Sequence, residues 1–120
     1  MRIESYKNLI VWQKAIIVAE KVYRVTKEMP KDETFGLISQ MRRASVSIAS
    51  NIAEGRSRST RKDFSQFLRI SLGSCAELET QIIIAKKTMI LTANTEEIEI
   101  LLTEISKILQ TMVNKLAPRS

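Results

Sequence analysis

The chain has 120 residues with 19 Lys and Arg, 13 Asp and Glu and no His, which gives a formal net charge of +6. This length corresponds to one ordinary domain, and 44% apolar and 27% charged residues are typical of a folded protein. The lack of His removes the commonest general base and metal ligand, and a single Cys excludes an internal disulfide. Because the chain has three Gly and two Pro, long helices are favoured over the many tight turns of a β fold.

The first apolar pattern predicts a helix over about residues 8–28 with two neighbouring apolar stripes. One stripe consists of Leu9, Trp12, Ile16, Ala19, Tyr23 and Thr26. The other consists of Val11, Ala15, Val18, Val22, Val25 and Met29. Two stripes cover more of the helix surface than a narrow contact with one neighbour requires, so this helix is expected to bury a wide face.

The second predicted helix, over about residues 33–54, combines an apolar stripe with many small side chains. Its stripe contains Phe35, Ile38, Met41, Ser45, Ile48 and Ile52. Small side chains at Ala44, Ser47, Ala49 and Ala53 let another helix approach closely, so we expect this helix in the middle of the packing. Gly55 then follows, where a left-handed residue is expected after the helix C-terminus.

The third predicted helix spans about residues 61–89 and begins with Thr60 and Asp63 at capping-box spacing. Its main stripe is Phe64, Phe67, Leu68, Ser71, Cys75, Leu78, Ile82 and Ala85. Further apolar residues, among them Ile70 and Ile84, lie elsewhere on its surface. Like the first helix, it is more apolar than a helix with one buried face needs to be.

The fourth predicted helix spans about residues 95–116, with Asn94 as its N-cap and Glu97 three positions later. Its apolar stripe is Ile98, Leu101, Leu102, Ile105, Ile108, Leu109, Met112 and Leu116. Most of its remaining positions are polar, which is typical of an outer helix.

Four such helices joined by short loops predict an all-α fold, an antiparallel up-down-up-down four-helix bundle forming a single domain over residues 1–120. The surplus apolar surface of the first and third helices favours assembly into a cyclic homo-oligomer, since a ring covers two different faces of every subunit. The alternative is a monomer that exposes scattered apolar residues.

The sequence offers little for catalysis. No Ser-His or Cys-His pair can form, the acidic residues are dispersed, and the three Gly do not form a phosphate-binding loop. Cys75 lies on an apolar stripe, which favours a packing residue over a reactive thiol. We therefore expect no enzyme activity, no metal site, no cofactor and no small-molecule substrate. No signal peptide or membrane-spanning stretch is recognisable, so a cytoplasmic protein without a membrane partner is expected.

One face of the second helix is polar and comprises Arg43, Ser47, Ser50, Asn51 and Glu54. These residues either fix the register against a neighbouring helix or subunit, or line a binding site. The first interpretation is favoured, because polar groups in helical bundles commonly specify packing.

Basic residues are concentrated in the middle of the chain. The candidate nucleic-acid-binding residues are Arg42, Arg43, Arg56, Arg58, Arg61, Lys62 and Arg69. The densest part is the loop between the second and third helices, where clustered Arg and Lys suit phosphate groups. This loop contains no aromatic residue, so it favours contact with the backbone over recognition of bases. The alternative is a solvated loop whose charge serves solubility.

Several motifs together resemble the four-helix bundle family of 23S rRNA intervening-sequence proteins, which have been labelled ribosomal-protein-like. They are VWQKA at 11–15, FGL at 35–37, RRA at 42–44, SxxSNIAEG at 47–55 and FxxFLxIxxGSxxELE at 64–79. The resemblance implies a four-helix bundle that assembles as a homopentamer. It also suggests kinship with the accessory variability determinant of diversity-generating retroelements, a basic pentameric protein that contacts nucleic acid. Ala49 departs from the family pattern, because Pro is frequent there, and a straighter second helix is expected.

The combined expectation is a non-enzymatic homo-oligomer that binds nucleic acid, namely structured RNA such as rRNA, through an Arg-rich junction between the second and third helices. The alternative is a homo-oligomeric protein–protein interaction scaffold with no nucleic-acid role.

Overall fold

The computed structural model describes residues 5–118, and in this range the secondary structure is entirely helical. The four α-helices are α1 (Ile10–Thr26), α2 (Ser39–Arg56), α3 (Arg61–Lys87) and α4 (Glu96–Leu116). A 3-10 turn, Tyr6–Asn8, precedes α1, while a 3-10 turn at Lys31–Glu33 and a π-helical turn at Thr34–Ile38 lead into α2. The predicted four-helix bundle is confirmed. Residues 1–4 and 119–120 of the expected domain lie outside the described residues.

Each helix packs against two others, since α1 and α3 both contact α2 and α4. Side-chain bonds fix the antiparallel directions. Lys14 pairs with Glu104 and Lys21 pairs with Glu97, so α1 and α4 run in opposite directions. Arg61 at the start of α3 donates to the Lys115 carbonyl oxygen near the end of α4, and α2 ends at Arg56 just before α3. The C-terminus of α2, the N-terminus of α3 and the C-terminus of α4 therefore share one end of the bundle, called here the junction end. The N-terminus of α2 lies at the opposite end.

The hydrophobic core buries mainly one of the two apolar stripes of α1. Val11, Ala15, Val18 and Val22 are buried, whereas the other stripe, apart from the buried Thr26 at its end, is left half-buried or exposed, as at Ile16 and Tyr23. The same holds for α3, where the main stripe is buried from Leu68 onwards, Phe64 and Phe67 are half-buried, and Ile70, Ile83 and Ile84 remain exposed. The expected wide buried face of α1 is thus not formed within one chain. No helix in residues 5–118 is long and apolar enough to cross a membrane.

The contact between α2 and α3 is close because small residues line it. The Ser71 hydroxyl donates to the Ile48 carbonyl oxygen at 2.8 Å, and Ala44, Ala49 and Gly55 are buried. The expectation of a left-handed Gly55 is wrong, since Gly55 lies inside α2 and no described glycine has a positive φ. A Cβ added at Gly55 would lie 2.7 Å from the Phe67 Cβ. Glycine is therefore required there by the approach of α3.

Phe35 also departs from its predicted place on the buried stripe of the second helix, because it is 97% exposed. The π-helical turn at Thr34–Ile38 contains Gly36 at φ −105° and ψ −110°, outside the helical range. This break changes the helical register before α2 begins at Ser39, so Ile38 is buried while Phe35 projects into solvent.

The segment between α3 and α4 contains one left-handed residue, Met89, with φ 63°. Beyond it, the Ile90 N–H donates to the Ala85 carbonyl oxygen and closes the end of α3. The predicted N-cap of α4 is displaced by one residue, because α4 begins at Glu96 and Thr95 occupies the cap position. Asn94 still contributes, since its Oδ1 accepts the Glu96 N–H at 2.9 Å.

Candidate nucleic-acid interface

Five cations surround the connection between α2 and α3 at the junction end. We call Arg56, Arg58, Arg61, Lys62 and Arg69 the junction patch. The connection holds them close together because α2 ends at Arg56 and α3 begins at Arg61. The Thr60 half of the predicted capping box of α3 is confirmed, since the Asp63 N–H donates to the Thr60 hydroxyl at 3.1 Å. This cap fixes where the first turn of α3, and with it Arg61 and Lys62, emerges from the connection.

Two members of the junction patch, Arg58 and Arg61, form hydrogen bonds with other residues of the chain. Arg58 donates to the Glu54 carboxylate at 2.8 Å, and its guanidinium lies 4.9 Å from the centre of the Phe67 ring. Arg61 donates to the Lys115 carbonyl oxygen at 2.7 Å, near the C-terminus of α4. The Glu54 carboxylate offsets the charge of Arg58, whereas Arg61 keeps its full charge because its acceptor, the Lys115 carbonyl oxygen, is neutral.

The other three members, Arg56, Lys62 and Arg69, have no hydrogen bond or ion pair with any residue in the range 5–118. Lys62 and Arg69 line a groove of about 960 Å³ together with Arg61, Ser65 and Gln66. Residues 116–118 form its other wall, and none of the described residues lining it is acidic. The groove therefore presents cations and neutral hydrogen-bonding groups to solvent.

Arg42 and Arg43 lie away from the junction patch although they are close to it in sequence. At about 1.5 Å per residue along α2, Arg43 is roughly 20 Å from Arg56, near the opposite end of the bundle. Arg42 donates to the Thr26 hydroxyl at 2.9 Å, and its guanidinium lies 4.6 Å from the centre of the Tyr23 ring. The seven candidate basic residues thus form two separate groups.

The polar face of α2 divides in a similar way. The Ser47 and Ser74 hydroxyls are hydrogen bonded at 2.8 Å, and Asn51 donates to Ser47 Oγ at 2.9 Å. These residues link α2 to α3, in agreement with a role in packing. Glu54 instead pairs with Arg58, while Ser50 and Arg43 are exposed and have no bonded partner among residues 5–118.

Two groups of residues were not singled out as candidates from the sequence. Ser65 and Gln66 line the groove with Lys62 and Arg69, and their spacing of three and four along α3 could have revealed this shared face. The end of α4 could not have been found in this way, because its position beside Arg61 depends on the fold.

Cys75 is buried between α3 and α4, which agrees with its interpretation as a packing residue. Burial raises the pKa of its thiol from 9.0 to about 11, against the opposing effect of a hydrogen bond with Ser106. The thiol is therefore protonated at neutral pH, the state in which it is a poor nucleophile.

The comparisons with known proteins agree with this architecture. The family model described as 23S rRNA-intervening sequence protein matches residues 7–111. The crystal structure of a protein of unknown function from the S23 ribosomal protein family of Bacteroides thetaiotaomicron is similar, with a TM-score of 0.79 and 27% sequence identity over 88% of this chain and 96% of that chain. No curated protein sequence matches the chain. The chain belongs to the family of 23S rRNA-intervening sequence proteins.

Proposed function

We propose that this protein is a non-enzymatic helical bundle that binds structured RNA, such as rRNA, through the junction patch. The observation that supports this most strongly is the groove beside Lys62 and Arg69. It combines cations that have no internal partner with neutral polar side chains, and no acidic residue among the described residues lines it.

The chemistry of the patch suits the phosphate backbone. Arg56 and Arg69 offer planar guanidinium groups that can donate two parallel hydrogen bonds to one phosphate, while Lys62 acts as a point charge. Neutralising phosphates releases condensed counterions, which supplies affinity without dependence on sequence. No described aromatic residue lines the groove, so stacked bases are not part of this contact. The proposal is therefore recognition of a folded RNA backbone.

Assembly into a homo-oligomer, with the homopentamer as the form implied by the family resemblance, belongs to the same proposal. Exposed apolar side chains on three of the helices support this assembly. They include Ile16 on α1, Val46 on α2, and Ile70 and Ile84 on α3. Each added subunit brings another junction patch, so a ring gains avidity for a long RNA without any improvement in the single contact.

The alternative function, a homo-oligomeric protein–protein interaction scaffold, is favoured by a different surface. A mostly apolar groove between α1 and α2 is lined by Trp12, Ile16, Ala19 and Val46, with Ala53 at one end. A groove of this composition suits another protein surface. Under this alternative the cations of the junction patch have no ligand.

The two functions are separated by measuring the binding of rRNA fragments in about 50 mM salt, where electrostatic binding is strong. The variant Arg56→Gln/Lys62→Gln/Arg69→Gln is expected to bind more than about tenfold more weakly, because three phosphate contacts are lost. The control Lys27→Gln/Lys87→Gln/Lys107→Gln removes the same charge from exposed positions outside the patch and is expected to retain affinity. Absence of RNA binding by the wild type, or equal losses in both variants, contradicts the proposal.

A further inference from the structure

A second groove lies at the opposite end of the bundle, and the junction patch does not account for it. It has a volume of about 360 Å³ and is lined mainly by Tyr23, Phe35, Arg42 and Arg43, with Thr34, Ile38 and Ser39 beside them. This volume is at the small end of the range of ligand pockets, about 300–1,000 Å³. The groove combines two aromatic rings with two guanidinium groups, and no acidic side chain of the described residues lines it.

The Phe35 ring is presented to solvent by an ordered turn. The Thr34 hydroxyl donates to the Lys31 carbonyl oxygen at 2.6 Å, and the Glu33 carboxylate accepts the Leu37 N–H at 3.4 Å. Ile38, at the end of the same turn, is buried in the core. Leaving an aromatic ring in water forgoes the favourable free energy of burying its apolar surface. The exposed ring is therefore a surface that gains from being covered.

The two arginines differ in their freedom. Arg42 is held by Thr26 and by the Tyr23 carbonyl oxygen, so its guanidinium stays against the Tyr23 ring. Arg43 is exposed and has no hydrogen bond or ion pair within residues 5–118. The groove thus offers flat surfaces at Phe35 and at the Arg42–Tyr23 stack, together with one cation that is free to bind an anion.

We propose that this groove binds an unpaired nucleotide of a single-stranded RNA segment, with the base stacked on Phe35 and the adjacent phosphate bound by Arg43. Aromatic rings and guanidinium planes are the surfaces on which proteins stack unpaired bases. The positive charge favours an anionic, planar ligand over the apolar face of another protein. This inference rests on the proposed function in taking RNA as the ligand, and it adds a contact with bases that the junction patch lacks.

The test compares a single-stranded oligouridine of about ten nucleotides, long enough for the short sites typical of such surfaces, with a blunt RNA duplex, by fluorescence anisotropy. Phe35→Ala is expected to weaken oligouridine binding by roughly 5- to 100-fold, the effect of losing one stacked base, and to leave duplex binding unchanged. Phe35→Tyr keeps a ring and is expected to retain affinity. Ile100→Ala removes an exposed apolar side chain from α4 and serves as the matched control.

Unchanged oligouridine binding in Phe35→Ala, or no binding of oligouridine by the wild type, overturns the inference. A change in the sedimentation mass of Phe35→Ala without RNA also overturns it, because Phe35 would then pack against another copy of the chain. The duplex measurement keeps the two proposals apart. Loss of duplex binding in the junction variant with no effect of Phe35→Ala supports the proposed function alone, and the reverse pattern supports the nucleotide groove alone.

Discussion

Replacing Gly55 by Ala tests whether the close approach of α2 and α3 is set by one missing methyl group. The new Cβ would lie 2.7 Å from the Phe67 Cβ, whereas carbon atoms in contact lie about 3.5–4.0 Å apart. The Phe67 Cβ is attached to the backbone and cannot rotate away, so the two helices must separate by about 1 Å. Overpacking of this kind costs about 1–3 kcal/mol, and the higher helix propensity of Ala offsets about 1 kcal/mol.

We therefore expect Gly55→Ala to lower the free energy of unfolding by up to about 2 kcal/mol, measured by urea denaturation. Gly73→Ala is the matched control, because Gly73 also lies inside a helix but an added Cβ meets no atom within 4 Å. The control is expected to raise the free energy of unfolding by up to about 1 kcal/mol. Changes of the same sign in both variants would refute the argument from the α2–α3 contact.

Two further predictions concern the connection after α3 and the buried thiol. Met89→Gly is expected to raise the free energy of unfolding by about 0.5–1 kcal/mol, because glycine adopts the left-handed conformation of this exposed position without strain. Met89→Ala keeps the strain and is expected to give no such increase. Thermal denaturation of both variants therefore distinguishes backbone strain from loss of side-chain packing. The pKa of the Cys75 thiol is about 11 in the folded protein, above its ordinary value of 9.0, so the thiol loses its proton at a lower pH in the unfolded chain. Its contribution to stability is therefore complete below pH 9 and is lost as the pH rises to 11. Urea denaturation between pH 8 and 11 is therefore expected to show a steeper loss of stability in the wild type than in Cys75→Ala, and equal slopes would contradict the burial argument.

The four helices could be predicted because each carries its own apolar period and local end signals. The Thr60 hydroxyl caps α3 by accepting the Asp63 N–H, as their spacing indicates, since such a cap needs no contact with the rest of the fold. Phe35 shows the limit of this reasoning. Its spacing from Ile38 continues the apolar period of the second helix, but the π-helical turn at Gly36 interrupts that period. The apolar spacing in a sequence cannot reveal a break in the helix when the apolar residues on either side of it still follow the helical period.

The role of Gly55 could not be predicted from its own helix, because it depends on a contact with another helix. A Gly near the end of an apolar pattern is most often a left-handed terminator, and nothing near it indicates that Phe67 will pack against it. The basic residues present the same difficulty. Arg42 and Arg56 belong to one stretch of sequence, yet they lie near opposite ends of α2. The apolar periods of the four helices predicted the architecture and the family motifs agreed with it, whereas the division of the cations into two groups depends on the fold.

The salt dependence of RNA binding tests the central claim most directly, because it counts the phosphate contacts of the junction patch. With three such contacts per subunit, log affinity is expected to fall with log salt at a slope of about −2.7, which is roughly a 40-fold loss between 50 and 200 mM. The Arg56→Gln/Lys62→Gln/Arg69→Gln variant is expected to flatten that slope by most of this amount, while the control with Lys27, Lys87 and Lys107 replaced keeps the wild-type slope. A slope that is the same in all three proteins, or near zero in the wild type, would contradict the claim that the junction patch binds RNA.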